Sequence, residues 1–276
     1  MKNQKKPVLL MTATVDPQGM ISTVLQDPNI RKRQYLDAID YYLKSTDYKI
    51  VFCENTEKNL FDEIESSEKY KRLEYLTFRG NDYDKGRGKG YGEVRIIQYA
   101  IQNSQFLKKA DYLIKITGRV KILNLEEISK NIEKKDNSNM YVVVELIRKD
   151  IAKSVCFLSP TKWLLDTCDK YGERDDYFLL DFEKMLYRSI SETRNMKIYP
   201  FYQVIDGICG TYGTPYSNFN SFHRRMLHYY SLCDIYKSRG ERKNYLISKI
   251  YGLTSQWLFF ICRAQNWLYR KITAKS

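Results

Sequence analysis

Asp111-Tyr-Leu-Ile-Lys-Ile-Thr-Gly-Arg-Val120 is the stretch from which the fold of this chain can be read. Leu113, Ile114 and Ile116 have strand character, and Gly118 permits the abrupt change of direction that leaves Lys115, Thr117 and Arg119 near the carboxyl end of that strand. In an open α/β sheet, ligands bind at that end. Two cations flanking a hydroxyl suit a phosphate, because a guanidinium grips it through paired N–H donors while an ammonium adds a point charge. The competing reading is a strand that ends in a solvated basic turn.

Upstream, Asn81-Asp-Tyr-Asp-Lys-Gly-Arg-Gly-Lys-Gly-Tyr-Gly-Glu93 gathers four glycines and the cations Lys85, Arg87 and Lys89 into a loop that opens a helix, with Val94, Ile97 and Ile101 at helical spacing. The spacing is neither that of a P-loop nor that of a dinucleotide fingerprint. The general physics still holds: glycines let backbone N–H groups approach an anion, and a helix start adds its dipole. A flexible, solvated loop is the alternative. Two cation-rich glycine tips within one α/β domain favour a shared polyphosphate ligand.

Working outward, the front half alternates apolar runs with amphipathic stretches, the pattern of βαβ units. Val8 to Met11, Lys49 to Cys53, Leu73 to Phe78 and Tyr112 to Ile116 read as four strands. A helix is expected from about Arg31 to Lys44, and another after Thr56, its N-cap, carrying Leu60, Phe61 and Ile64. Asn124-Leu-Glu-Glu127 has the form of a capping box for a helix ending near Lys134. Met140 to Leu146 and Val155 to Leu158 read as strands, Ser159-Pro160 as the N-cap and first residue of a helix, and Asp181 as near the start of the next. Asp206 to Pro215 is a glycine-rich loop expected over the active edge of the sheet, and beyond Phe222 the chain reads as helical with a break near Ser238-Arg-Gly240.

The 276 residues suffice for a full core, in one large domain or a domain with an appendage. Six scattered cysteines without a C-x-x-C pair, and only His223 and His228, argue against a disulfide scaffold, a zinc site and a Ser-His-Asp triad. The apolar run Val8 to Met11 is too short for a signal peptide or a membrane span, so a cytoplasmic location is expected. The formal charge of +13 is uneven: residues 221–276 hold eleven Lys and Arg against two Asp and Glu. That tail also carries Trp257, Leu258, Phe259, Phe260, Trp267, Leu268 and Tyr269, a composition suited to an anionic membrane or to nucleic acid. Packing of a terminal helix on the core would use the same apolar residues.

Taken together, Lys115-Ile-Thr-Gly-Arg119, Lys89-Gly-Tyr-Gly-Glu93, Leu180-Asp-Phe-Glu-Lys-Met-Leu-Tyr187 and Asp206-Gly-Ile-Cys-Gly210 resemble segments of bacterial glycosyltransferases that build capsule and O-antigen polysaccharides. The resemblance covers about Val8 to Pro215. It implies an α/β fold with a GT-A-like, Rossmann-like twisted central sheet flanked by helices over residues 1–220; the helical, basic extension over 221–276 is read from its own composition. It further implies a nucleoside-diphosphate sugar as donor, first of all a UDP sugar, and a lipid-linked glycan as acceptor, met by a protein peripheral on the inner face of the plasma membrane.

Many enzymes of this type carry Asp-x-Asp after the central strand, where the carboxylates hold Mg²⁺ or Mn²⁺ against the diphosphate. Here that position is Thr117-Gly118-Arg119. The expectation is therefore a metal-independent, inverting enzyme in which Arg119, Lys115 and the basic glycine loop stabilise the departing diphosphate. Asp82-Tyr-Asp84 is a literal D-x-D, but it precedes the central strand. On the same resemblance Thr12, Thr14 and Glu54 flank the nucleoside, although each could instead cap or turn the chain. Glu183, or failing it Asp181, takes the proton of the acceptor hydroxyl, unless these acids serve only the helix dipole. The rival functions are a sugar-phosphate nucleotidyltransferase, which needs a metal and usually a glycine-rich segment after strand one, and a basic nucleic-acid-binding protein.

Overall fold

A computed structural model describes residues 6–64, 69–128, 140–173, 181–216 and 221–273. The chain runs β1 (Val8–Ala13), α1 (Pro28–Ser45), β2 (Ile50–Glu54), α2 (Lys69–Arg72), β3 (Leu73–Thr77), α3 (Gly88–Asn103) and β4 (Tyr112–Thr117). It continues through β5 (Lys121–Ile122), β6 (Tyr141–Val144), β7 (Leu146–Arg148), β8 (Ile151–Ala152), β9 (Cys156–Pro160), α4 (Thr161–Tyr171) and α5 (Phe182–Glu192). It ends with β10 (Lys197–Pro200), β11 (Ile205–Asp206), α6 (Ser221–Ser238) and α7 (Arg242–Thr273). The fold is α/β with a seven-stranded central sheet in the order β10-β6-β9-β4-β1-β2-β3. Within it β9 alone runs against its neighbours, β4 and β6.

The side-chain period of two divides each strand between two cores. Leu9, Met11, Ile114 and Ile116 pack with Tyr35, Ile39 and Tyr42 of α1. Leu10, Leu113 and Phe157 face the opposite way, onto α3, α4, α5 and α6. Chain order reverses between β1 and β4, with Thr12 opposite Thr117. That reversal makes their carboxyl ends a topological switch point, where a crevice opens between outgoing loops. Gly118 closes the junction: its N–H donates to the Thr12 carbonyl at 2.9 Å, and a Cβ there would lie 2.8 Å from that same oxygen.

Several local expectations are corrected. Thr56 starts no α-helix; its hydroxyl donates to Glu54, and residues 61–63 form only a 3₁₀ turn, with Asn59 accepting from the N–H of Phe61 at 3.0 Å. Ser159 and Pro160 remain in β9, and the helix begins at Thr161 with no side-chain cap. Asn124 does not cap: its amide bonds the Tyr202 carbonyl and the Val204 N–H, and the expected helix beyond 128 falls largely outside the described residues. Helix α3 begins inside the glycine loop, at Gly88, so that Gly90 and Gly92 are helical. Gly92 is bare because Tyr83 passes over it, where a Cβ would be 2.2 Å from the tyrosine oxygen.

The last two helices form a hairpin, broken near 239–241 as expected, with Gly240 at φ +76°. Its first helix is not an appendage, since Leu232 and Ile235 belong to the α3-side core. Glu145, 1% exposed, accepts from Arg224 Nε at 2.5 Å and pairs with Lys153 at 3.3 Å. His228, fully buried, accepts from the Leu146 N–H at 3.0 Å through Nδ1. Trp267, Leu268 and Tyr269 lie outside the residues whose side chains are described.

Candidate functional site

At the carboxyl edge of β1 and β4 lies a cavity of about 370 Å³. Of the residues singled out in the sequence it gathers Thr12, Thr14, Lys89, Lys115, Thr117, Arg119, Asp181 and Glu183. Glu54, Lys85 and Arg87 are not in its wall.

The floor is an ionic network built by β4 and α3. Alternation along β4 turns Lys115 toward α3, where its side chain is 1% exposed and its ammonium lies 2.5 Å from Glu93 Oε1. The same ammonium donates to the Ser154 carbonyl at 2.8 Å, and Thr12 Oγ1 donates to Glu93 at 2.7 Å. A buried ammonium needs such a counter-charge. Lys115 is therefore neutralised within the protein, and any anion entering the cavity would share it with Glu93. Ser154 continues the network, its hydroxyl donating to Glu183 Oε1 at 2.5 Å.

Arg119 is differently placed. One N–H donates to the Ile208 carbonyl. Its guanidinium lies against Gly210, where a Cβ would stand 2.5 Å from Nη2. A guanidinium has five N–H donors, and among the described residues Ile208 engages one of them. Lys89 crosses the mouth to Thr211 Oγ1 at 2.5 Å and the Ser22 carbonyl at 3.2 Å, joining the loop after β1 to the loop after β11. Tyr216 lines the cavity beside Arg119; burial pushes its phenol up to about 12, so it is a neutral donor.

Helix α5 presents the acids. Asp181 is its N-cap, accepting from the Lys184 N–H at 2.9 Å, while Glu183 in the first turn reaches Ser154.

Other cations and acids of the sequence reading are engaged elsewhere. Glu54 is wholly buried, and its carboxylate accepts from the N–H groups of Val15, Thr56 and Lys58 and from the Thr77 hydroxyl; it braces the loops after β1 and β2 instead of facing the cavity. Lys85 stands 4.6 Å from the Tyr83 ring centroid, and Arg87 stacks 3.6 Å over Tyr91 and donates to the Glu173 carbonyl. Asp82 pairs with Arg79 and Arg95, and Asp84 accepts from the Gly86 N–H, so neither carboxylate of the D-x-D faces the cavity. Among the described residues no group of three or more His, Cys, Asp or Glu could hold a metal ion.

Three wall residues went unread. Glu93 is an acid near a helix start, and its partner Lys115 is distant in sequence. Tyr216 follows the glycine-rich loop with no motif of its own. Arg31 did carry a signal, because a cation in the first turn of a helix is disfavoured by the dipole unless it has another task. Its guanidinium, 7% exposed, bonds the carbonyls of Thr14 and Leu25 and the Tyr35 hydroxyl. It thereby fixes the loop after β1.

The sequence matches no protein-family model and no curated protein. Solved structures with a similar arrangement include a cytidylyltransferase from Leptospira borgpetersenii, at 13% identity and a TM-score of 0.42 over 71% of this chain and 75% of that one. An inositol-1-phosphate CTP transferase from T. maritima is 8% identical, with a TM-score of 0.46 over 86% and 96% of the two chains. The bifunctional glycosyltransferase WbbM is 8% identical, with a TM-score of 0.42 over 73% of this chain and 40% of that one.

Proposed function

We propose that the protein is a glycosyltransferase that takes a sugar from a nucleoside diphosphate, first of all UDP, and inverts its anomeric centre. The observation that carries this reading is the pairing, in the wall of one cavity, of Glu183 with Arg119, one of whose five donors is engaged by the Ile208 carbonyl among the described residues. Glu183 takes the proton of the acceptor hydroxyl as its oxygen attacks the anomeric carbon. The bond from that carbon to the diphosphate oxygen breaks, and the leaving diphosphate keeps the electron pair. Arg119, with Lys89 and the Lys115–Glu93 floor behind it, meets the charge that develops there. No carboxylate pair occupies the strand-end position where a metal would bridge the diphosphate, so we assign that task to the guanidinium and take the reaction to be metal-independent.

The acceptor we assign is a growing cell-surface polysaccharide of the O-antigen or capsule kind, carried on lipid at the inner face of the plasma membrane. Among the described residues no helix is long and apolar enough to cross a membrane. Helices cover both faces of the central sheet, so a nucleic acid could not lie on an open sheet face.

One observation favours a second reading. A cation-lined crevice at this switch point would hold the triphosphate of a sugar-phosphate nucleotidyltransferase as well. Against it, β1 leads into Thr14-Val-Asp-Pro17, with no glycine-rich segment directly after the strand. Thermal-shift screening against UDP, GDP, CMP and dTDP sugars, each with and without EDTA, selects the donor, since a ligand of the folded state raises Tm. The selected sugar nucleotide is then offered with glycan acceptors, and the corresponding nucleoside triphosphate with sugar 1-phosphates. Release of nucleoside diphosphate in the first mixture is expected. Release of pyrophosphate in the second would transfer the assignment to the nucleotidyltransferase reading.

A further inference from the structure

Helix α7 is built inside out. Facing α6 it offers small residues: Ser248 is 4% exposed, Ser255 is 6% exposed, and the bare edge of Gly252 lies where a Cβ would be 3.4 Å from the Tyr230 ring. Diametrically opposite, at spacings of three and four, stand Leu246, Ile250, Leu253, Trp257, Phe260 and Ile261, all exposed. Trp257 is 71% exposed and Ile250 62%. An amphipathic helix packed on a protein turns its large apolar residues inward and leaves polar ones to water. Here the small residues bring two helices close together, and the bulk of the apolar surface is left outside.

Two properties of this outer face identify what covers it. The first is its width. From Phe260 round to Leu258 it spans about 160° of the helix at about 100° per residue, much wider than the two-position seam of a coiled coil between copies of the chain. The second is charge. Residues 221–276 carry eleven basic side chains against two acidic ones, and Lys249 and Arg263 lie exposed at the border of the apolar face. Broad apolar surface bordered by cations is complementary to an anionic lipid interface, where the rings and branched chains enter the acyl boundary while the stems of Lys and Arg reach back to headgroups. The helix also runs on past its partner: His223, close to the start of α6, packs against Phe259 with ring centroids 5.0 Å apart, and α7 continues to Thr273.

We infer that the outer face of α7 is an interfacial membrane anchor for anionic lipid, lying in the plane of the leaflet and not crossing it. The inference extends the lipid-linked acceptor reading, and its test reads membrane binding without sugar transfer, so either can fail alone. The full chain is sedimented with phosphatidylcholine vesicles, with and without phosphatidylglycerol, over a range of salt concentrations. Binding to the anionic vesicles at low salt is expected, weakening as salt screens the cations. The double variant Leu253→Glu/Trp257→Glu should lower the partition on the order of tenfold or more, with Tm and nucleotide-induced shift unchanged, because both side chains point away from α6. A full chain that ignores both vesicles at low salt overturns the inference. So does undiminished binding by the double variant. A dimer in light scattering that the double variant dissociates would assign the face to a second copy of the chain and equally overturn it.

Discussion

The Arg119 guanidinium reaches the cavity wall because the residue beside it is Gly210, where a Cβ would stand 2.5 Å from Nη2. Arg119→Ala should therefore weaken nucleoside-diphosphate binding by about 1.5–3 kcal/mol, the scale of hydrogen bonds to charged groups, as read by calorimetry. Glu183→Gln should lower turnover by about 10²–10⁴-fold, the usual loss for a positioned base, and leave donor affinity nearly intact. If that variant keeps full activity while Asp181→Asn loses it, the role passes to Asp181. At this scale the sequence displayed which charges exist but not which are free. Lys115 and Arg119 differ by four positions and look alike, yet Lys115 is neutralised by Glu93 while Arg119, among the described residues, donates to the Ile208 carbonyl. The distinction depends on a contact between β4 and α3 that no local pattern encodes. Lys85 and Arg87 stand outside the cavity wall for a related reason: the rings of Tyr83 and Tyr91 are held close enough to take the cations themselves.

Secondary-structure elements were legible where one physical signal dominated. Strands β1, β2 and β4 are largely apolar runs and β3 mixes apolar and polar residues, and all four fall within one or two residues of their expected limits. Helix α1 starts three residues ahead of the expected Arg31, because Asp27 caps it with Pro28 directly behind. Boundaries failed where a capping side chain had a stronger alternative. Asn124 is drawn to the backbone at 202 and 204, and Thr56 to the Glu54 carboxylate. Asp181, by contrast, does cap α5. Asp181→Ala should cost about 1 kcal/mol of stability in urea titration, the ordinary value of an N-cap, while Asp181→Asn, which keeps an accepting oxygen, should cost much less. An equal loss in both variants would show that its negative charge, not the cap, stabilises the helix.

Across the whole molecule, His228 links stability to pH. Burial pushes its imidazole down to about 3, against 6.5 for the free side chain. Between those values the unfolded chain holds a proton that the folded one refuses. Stability from this source is therefore fully present above 6.5 and falls as pH drops toward 3, by up to about 1.4 kcal/mol per pH unit. Urea unfolding at about pH 7.5 and about pH 5 should show a smaller difference for His228→Gln than for the native chain. An unchanged difference would locate the acid sensitivity elsewhere. The sequence conveyed the layered α/β plan and the basic tail, but not that the first half of that tail completes the core. No periodicity announces that a histidine near the end of the chain will receive the N–H of Leu146.

The Glu145 cluster has a consequence for how the protein comes into being. Its carboxylate is sealed from water with Lys153 on one side and Arg224 of α6 on the other. While a ribosome has yet to deliver α6, that carboxylate lacks one of its two cations and the neighbouring Leu146 amide has no acceptor. The half of the sheet beyond β9 is thus left unfinished until α6 arrives. Completion of that half waits for α6, and a product terminated before Ser221 should be cleared as an incomplete chain instead of persisting as a smaller stable fold.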